Sequence, residues 1–162
     1  MTTTGTHETE IVVPKDLPIV RIVREFDAPA AKVFRAHLDP ELFARWNGPR
    51  YLSQRNELWD LRTGGAYRYV QVDPDGNEYA FFGSVHEVRP DELIVQTFTY
   101  EGFPDGVSLD RLVFEDLPDG RSRLTATSLV DSIEGRDGFV ASGMEVGVRE
   151  GYEQLDELLA QS

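Results

Sequence analysis

Acid–base and nucleophilic chemistry in this chain has to be built from histidines and carboxylates, because its 162 residues include no cysteine. That absence excludes disulfides, thiolate metal sites and cysteine nucleophiles, and it fits a reducing compartment. His7, His37 and His86 are far apart in sequence, with no HxH or HExxH spacing, so no metal site is expected. His7 falls in a polar N-terminal stretch, and His37 closes a helical pattern where a cation suits the helix dipole. His86, in "SVHEV", is a candidate cavity acid or base. Glu57 is the second candidate by strand position, with Glu87 beside it, while Arg68 and Arg111 could meet such an acid or a ligand anion. Most other carboxylates stand in turns such as "DPDGN", where Asp serves backbone geometry. There is no GxSxG elbow and no glycine-rich phosphate loop, so no cofactor is expected.

Two other patterns point to a binding surface. Trp59, Tyr67, Tyr69, Tyr79, Phe81, Phe82, Phe98, Tyr100 and Phe114 crowd one region, and strand alternation puts Tyr67 and Tyr69 on one face. Such rings line pockets, and equally they pack across strands. In "SGMEVGVREGYEQLDELL" glycines recur at Gly143, Gly147 and Gly151, beside an apolar stripe of Met144, Val148 and Leu155. Each glycine inside a helix costs about 1 kcal/mol against alanine. A bare strip on a helix therefore serves either close backbone packing or room for a guest. The residues expected to line a pocket are Trp46, Trp59, Tyr67, Tyr69, Phe81, Phe98, Met144, Gly147, Val148 and Gly151.

The elements that would position these residues follow in order. Residues 1–17 read as a flexible arm with one extended segment at "EIVV", and residues 18–162 as one domain. "IVRIVREF" reads as a strand. Two short helices follow, "AAKVFRAHL" and "PELFARW", the second capped by Asp39 with Pro40 at its first position. Five turn signals from "RTGG" to "LPDGR" then separate six strand-like runs, an antiparallel meander. The last helix is expected to begin at Ser142, which forms a capping box with Glu145. The class is α+β: about seven strands covered by one long helix.

The net charge of −13, with 29 acidic against 16 basic residues, repels nucleic-acid phosphates and anionic membrane surfaces. No apolar run approaches the ~20 residues a bilayer demands. "MTTTGTHETE" has no secretory leader pattern, so a cytoplasmic location is expected.

The segments "REFDAPAAKVFRAHLDPELFARWNGP", "GGAYRYV", "FFGSVHEVRPDELIVQTF" and "SGMEVGVREGYEQLDELL" resemble the helix-grip superfamily of START domains and aromatic polyketide cyclases. More narrowly they resemble its bacterial branch named after the Hsp90 ATPase activator homologue. The resemblance implies a curved antiparallel sheet gripping the C-terminal helix, with an apolar cavity between them. It carries no universal catalytic motif. In "RWNGP", Asn47 stands where the branch often has a second aromatic, which leaves Trp46 alone there.

Three functions follow as expectations. The leading one is capture of a hydrophobic small molecule (a lipid, polyketide or aromatic metabolite), including sequestration in natural-product metabolism. The second is a cofactor-free cyclase or hydrolase, and the third is modulation of a chaperone ATPase. The expected partner is a hydrophobic small molecule, with homodimerisation left open.

Overall fold

The computed structural model describes residues 8–161, so His7 lies outside the described residues. Eight strands form one antiparallel sheet: β1 (Glu10–Val12), β2 (Ile19–Phe26), β3 (Ser53–Asp60), β4 (Ala66–Val72), β5 (Glu78–Arg89), β6 (Leu93–Tyr100), β7 (Ser108–Leu117) and β8 (Arg121–Leu129). Their order across the sheet is β1-β2-β8-β7-β6-β5-β4-β3. The helices are α1 (Ala30–Leu38), α2 (Pro40–Trp46), α3 (Ile133–Ala141) and α4 (Met144–Ala160). This is the α+β helix-grip arrangement expected, with one strand more. The added strand is the "EIV" segment, which pairs with β2 from Glu10↔Val23 to Val12↔Arg21. No described helix is long and apolar enough to cross a membrane.

Local chemistry explains most boundaries. The hairpin tips place Gly64, Gly76, Asp91, Asp119 and Gly120 at positive φ, which Gly and Asp tolerate best. Asp39 caps α2 by accepting from the backbone N–H groups of Glu41 and Leu42. The N-terminus of α1 is capped from outside its own segment: Asp116, on β7, accepts from Ala30 N–H at 2.9 Å.

The capping box expected at Ser142 does not form. Ser142 closes α3, its hydroxyl donating to the Phe139 carbonyl at 2.6 Å, and Gly143 turns the chain at φ 88° before α4 begins. A left-handed joint favours glycine over serine or any β-branched residue.

The residues before β2 are tied down by arginines. Arg24 donates to the Thr9 hydroxyl, Arg149 to the Thr9 carbonyl, and Arg136 to the carbonyls of Pro14 and Leu17. Arg24 is 1% exposed and also grips Asp156 of α4 through two bonds, at 2.6 and 3.0 Å.

Candidate ligand-binding cleft

The inner face of the sheet, covered by α4, is built by strand alternation. Ile94, Gln96 and Phe98 of β6, Ser108, Asp110, Leu112 and Phe114 of β7, and Leu124, Ala126 and Ser128 of β8 fall on it. Part of this face is sealed. Phe26, Phe34, Ile94, Phe114, Leu124 and Leu155 form a continuous buried core. The remainder stays accessible. Leu112, Ala126, Phe139, Met144 and Val148 pack against that core yet are only half-buried, as are Gln96, Phe98, Asp110 and Ser128. The N-terminal half of α4 and the end of α3 thus meet a part of the inner face that the core leaves partly accessible, the candidate cleft.

Asp110 is the chemically distinctive group in it. Its Oδ1 accepts from Ser108 Oγ at 2.9 Å, and the Ser128 hydroxyl bonds it from β8. Among the described residues no cation pairs with it. It keeps some accessible surface, but protein surrounds it almost completely, and this burial pushes its carboxyl up to about 6. Gln96, its register partner on β6, has a buried Oε1 with no hydrogen-bond partner.

Three tyrosines feel the Asp110 charge. The charge of Asp110 raises Tyr67, Tyr69 and Tyr152 further, after burial has raised each. The Tyr67 hydroxyl donates to the Thr97 carbonyl at 2.6 Å by passing over Gly83. A Cβ at residue 83 would stand 1.9 Å from the Thr97 oxygen, so only glycine fits there. Tyr69 bonds the Asn47 side chain, and Tyr152 makes no hydrogen bond among the described residues.

The sequence candidates divide between cleft and core. Phe81 and Phe98 stack at 5.4 Å, half-buried, against the Tyr67–Tyr69–Val85 cluster, and Met144 and Val148 pack half-buried against the main core. Trp46 and Trp59 have structural duties. Their indole N–H groups donate to the carbonyls of Ala36 and Leu38 at 2.9 and 2.8 Å, satisfying the end of α1. Trp46 stacks on Tyr152, and Phe43 links Trp46, Trp59 and Tyr69 into one aromatic cluster. Tyr67 and Tyr69 are buried, stacked on each other at 6.1 Å.

Two glycines of the strip serve packing. A Cβ on Gly151 would lie 3.2 Å from Gly48 N and 3.3 Å from the Trp46 carbonyl oxygen, and one on Gly147 would lie 3.3 Å from Pro49 Cδ. These two glycines let α4 press its backbone onto the α2–β3 loop. Gln154 seals that contact by donating to the carbonyls of Trp46 and Gly48. Gly147 and Gly151 are thus accounted for by close packing on this loop, while a Cβ at Gly143 would meet nothing within 4 Å.

Both acid/base candidates face away from α4. The β3–β4 register shifts between Asn56 and Leu58, placing Glu57 in a bulge; it joins an exposed ion-pair ladder with Arg55 and Arg68. The β5–β6 register shifts between Val85 and Glu87, so His86 also sits in a bulge, exposed on the outer face. Glu87 pairs there with Arg89 at 2.9 Å. Bulges break the period of two on which the sequence assignment of faces relied. Two shallow outer hollows of about 400 and 230 Å³ share His86, Val95 and Arg111. They are open to solvent on a broad side and hold no buried unsatisfied polar atom. His37 is buried, not a surface cation. Its Nδ1 donates to the Val33 carbonyl at 2.8 Å, its ring packs against Trp46 and Phe114, and burial lowers it to about 4.

Asp110 and Gln96 were not singled out by sequence. The signal was available in "SLDRLVF" and "LIVQTF", where alternation with Leu112, Phe114 and Ile94 puts both polar residues on the apolar face.

Comparison with known proteins decides the family. Residues 27–160 match the model of the Activator of Hsp90 ATPase homolog 1-like proteins. The chain belongs to this family. Among solved structures, the family fold recurs in protein Ms6760 of Mycobacterium smegmatis, which is 25% identical with a TM-score of 0.84 over 94% of this chain and 97% of that one. A protein from Arthrobacter aurescens is 26% identical, with a TM-score of 0.86 over 94% and 92%. One from Rhodobacter sphaeroides, 24% identical with a TM-score of 0.87 over 96% and 100%, shares the fold. No curated protein matches the chain.

Proposed function

We propose that the chain binds a hydrophobic small molecule in the cleft under the N-terminal half of α4, for capture rather than turnover. The observation that carries this reading is the inner face itself. Leu112, Ala126, Phe139, Met144 and Val148 turn inward and still keep accessible surface, where a structural core would be closed. Apolar walls with a few convergent polar groups are the usual composition of a small-molecule site. Burial at roughly 25 cal/mol per Å² would supply affinity, and the polar groups orientation.

The test is thermal unfolding with a panel of lipids, polyketides and aromatic metabolites, on the native chain and on Ala126→Phe, which plugs the cleft. Members of the panel should raise Tm in proportion to occupancy, and the plugged variant should lose the shift while remaining folded. No shift with any compound, or equal shifts in both proteins, defeats the reading.

A further inference from the structure

Two polar groups on this face are incompletely answered by the described residues. Asp110 presents a carboxylate that no cation pairs with among the described residues, and its two serine neighbours already point their hydroxyls at it. Gln96 Oε1 is buried on the same face, one strand away, with no partner. A buried acceptor without a donor and a buried carboxylate without a counter-charge are both unfavourable, so Gln96 Oε1 calls for a hydrogen-bond donor and Asp110 for a positive charge. No described residue meets that demand. Arg24, the guanidinium buried on the inner face of β2, is committed to Asp156, Thr9 and the Glu25 carbonyl. Arg111 is next to Asp110 in sequence, yet alternation sends it to the outer face, where it lines the open hollows. Tyr67, Tyr69 and Tyr152 lie close enough to feel the charge of Asp110, and Phe98 shares the strand face of Gln96.

We propose that the molecule held in this cleft is a hydrophobic amine, whose ammonium group is received by the Asp110 carboxylate and the Gln96 amide oxygen. This assignment rests on the reading that the cleft takes a hydrophobic ligand, and adds its head-group chemistry. An ammonium brings several N–H donors and the missing positive charge together. A neutral hydroxyl brings one donor and leaves the carboxylate without a counter-charge. A ligand carboxylate would set two anions against each other in a poorly solvated space, which is unfavourable unless one is protonated. The nearby aromatic faces favour a cation as well.

Three probes sharing one aromatic body test this: 2-(1-naphthyl)ethylamine, 2-(1-naphthyl)ethanol and 1-naphthaleneacetic acid. Their affinities are measured by calorimetry at pH 7.5 for the native chain, Asp110→Asn, Gln96→Leu and Glu157→Gln. The amine should bind about tenfold or more tighter than the alcohol, the scale of a hydrogen bond to a charged group, and the acid weakest. Asp110→Asn should bring amine and alcohol to within about threefold, and Gln96→Leu should lower the amine alone. Glu157, an exposed partner of Arg50 remote from the cleft, controls for general attraction to an acidic protein, so its variant should behave as the native chain. Equal binding of all three probes, or an amine preference that survives Asp110→Asn, overturns the amine assignment and leaves the hydrophobic cleft standing. Failure of all three to bind overturns the cleft reading and this inference with it. A preference lost equally in Glu157→Gln assigns the effect to net charge and also overturns it.

Discussion

At its C-terminal half α4 encloses Leu155 fully and ties Asp156 to Arg24, whereas at its N-terminal half Met144 and Val148 keep accessible surface and Asp110 meets no cation among the described residues. The same helix thus spans a completed core and an incomplete one. The two regions also bury titratable groups of opposite sign. The closed region hides a base, His37, whose one obligatory donor is satisfied by Val33. The open region strands an acid, whose serine donors do not cancel its charge. Among the described residues, what the closed region leaves unmet is a neutral hydroxyl, Ser122 Oγ beside Phe26, not a charge. An incomplete core passes some of its polar demand to whatever enters.

Breaking the closed half should give the largest effect. Asp156→Ala leaves the Arg24 guanidinium buried without its carboxylate, and should cost about 3–5 kcal/mol in urea unfolding. A loss below ~1 kcal/mol would mean that α4 is held by apolar contacts alone.

The two titrating groups come next, with opposite pH slopes. The folded state holds His37 near 4, below the 6.5 of an ordinary histidine, so its stabilising effect is complete above 6.5 and drains away as pH falls toward 4. The loss should reach about 3 kcal/mol. Asp110 is raised from 3.8 to about 6, so its contribution is complete below 3.8 and disappears as pH rises through 6. Asp110→Asn should therefore stabilise the unliganded chain at pH 7.5 by about 1–2 kcal/mol, allowing for the surface Asp110 keeps, and do little at pH 4. In the native chain these slopes overlap between pH 4 and 6 and largely offset. His37→Phe should unmask the Asp110 slope, seen as a Tm that rises on acidification. A flat profile in that variant would remove Asp110 from the argument.

Glycine substitutions sharpen the comparison at the smallest scale. Gly151→Ala forces a methyl against backbone atoms of the α2–β3 loop, and should cost about 1–2 kcal/mol despite better helix propensity. Gly147→Ala meets only the edge of the Pro49 ring, so gain and strain should cancel to within about 0.5 kcal/mol. Equal losses at both positions would show that the loop cannot give anywhere along α4.

The meander, the two short helices and the covering helix were legible because turn chemistry and periodicity agree along those segments. What escaped reading has identifiable physical causes. Glu57 was a candidate by strand position and His86 by its place within a strand, and both occupy bulges where alternation fails. The glycine strip left two uses open, and only the position of the α2–β3 loop, a long-range fact, shows that Gly147 and Gly151 serve close packing. Trp46 and Trp59 looked like pocket walls because their type suits one, but the carbonyls at the end of α1 claim their N–H groups. Asp110 and Gln96 could have been found by asking which polar residues share a strand face with the apolar ones.

The pairing of β2 with β8 along its whole length has a practical consequence for anyone trimming this protein. A recombinant fragment cut to the family-matched span would start at residue 27 and discard β1 and β2 together. It would bare the full edge of β8, strip Phe26 from the interior and leave Asp156 without its arginine. Exposed strand edges recruit one another. Such a fragment should precipitate, so expression designs need to begin ahead of Thr9.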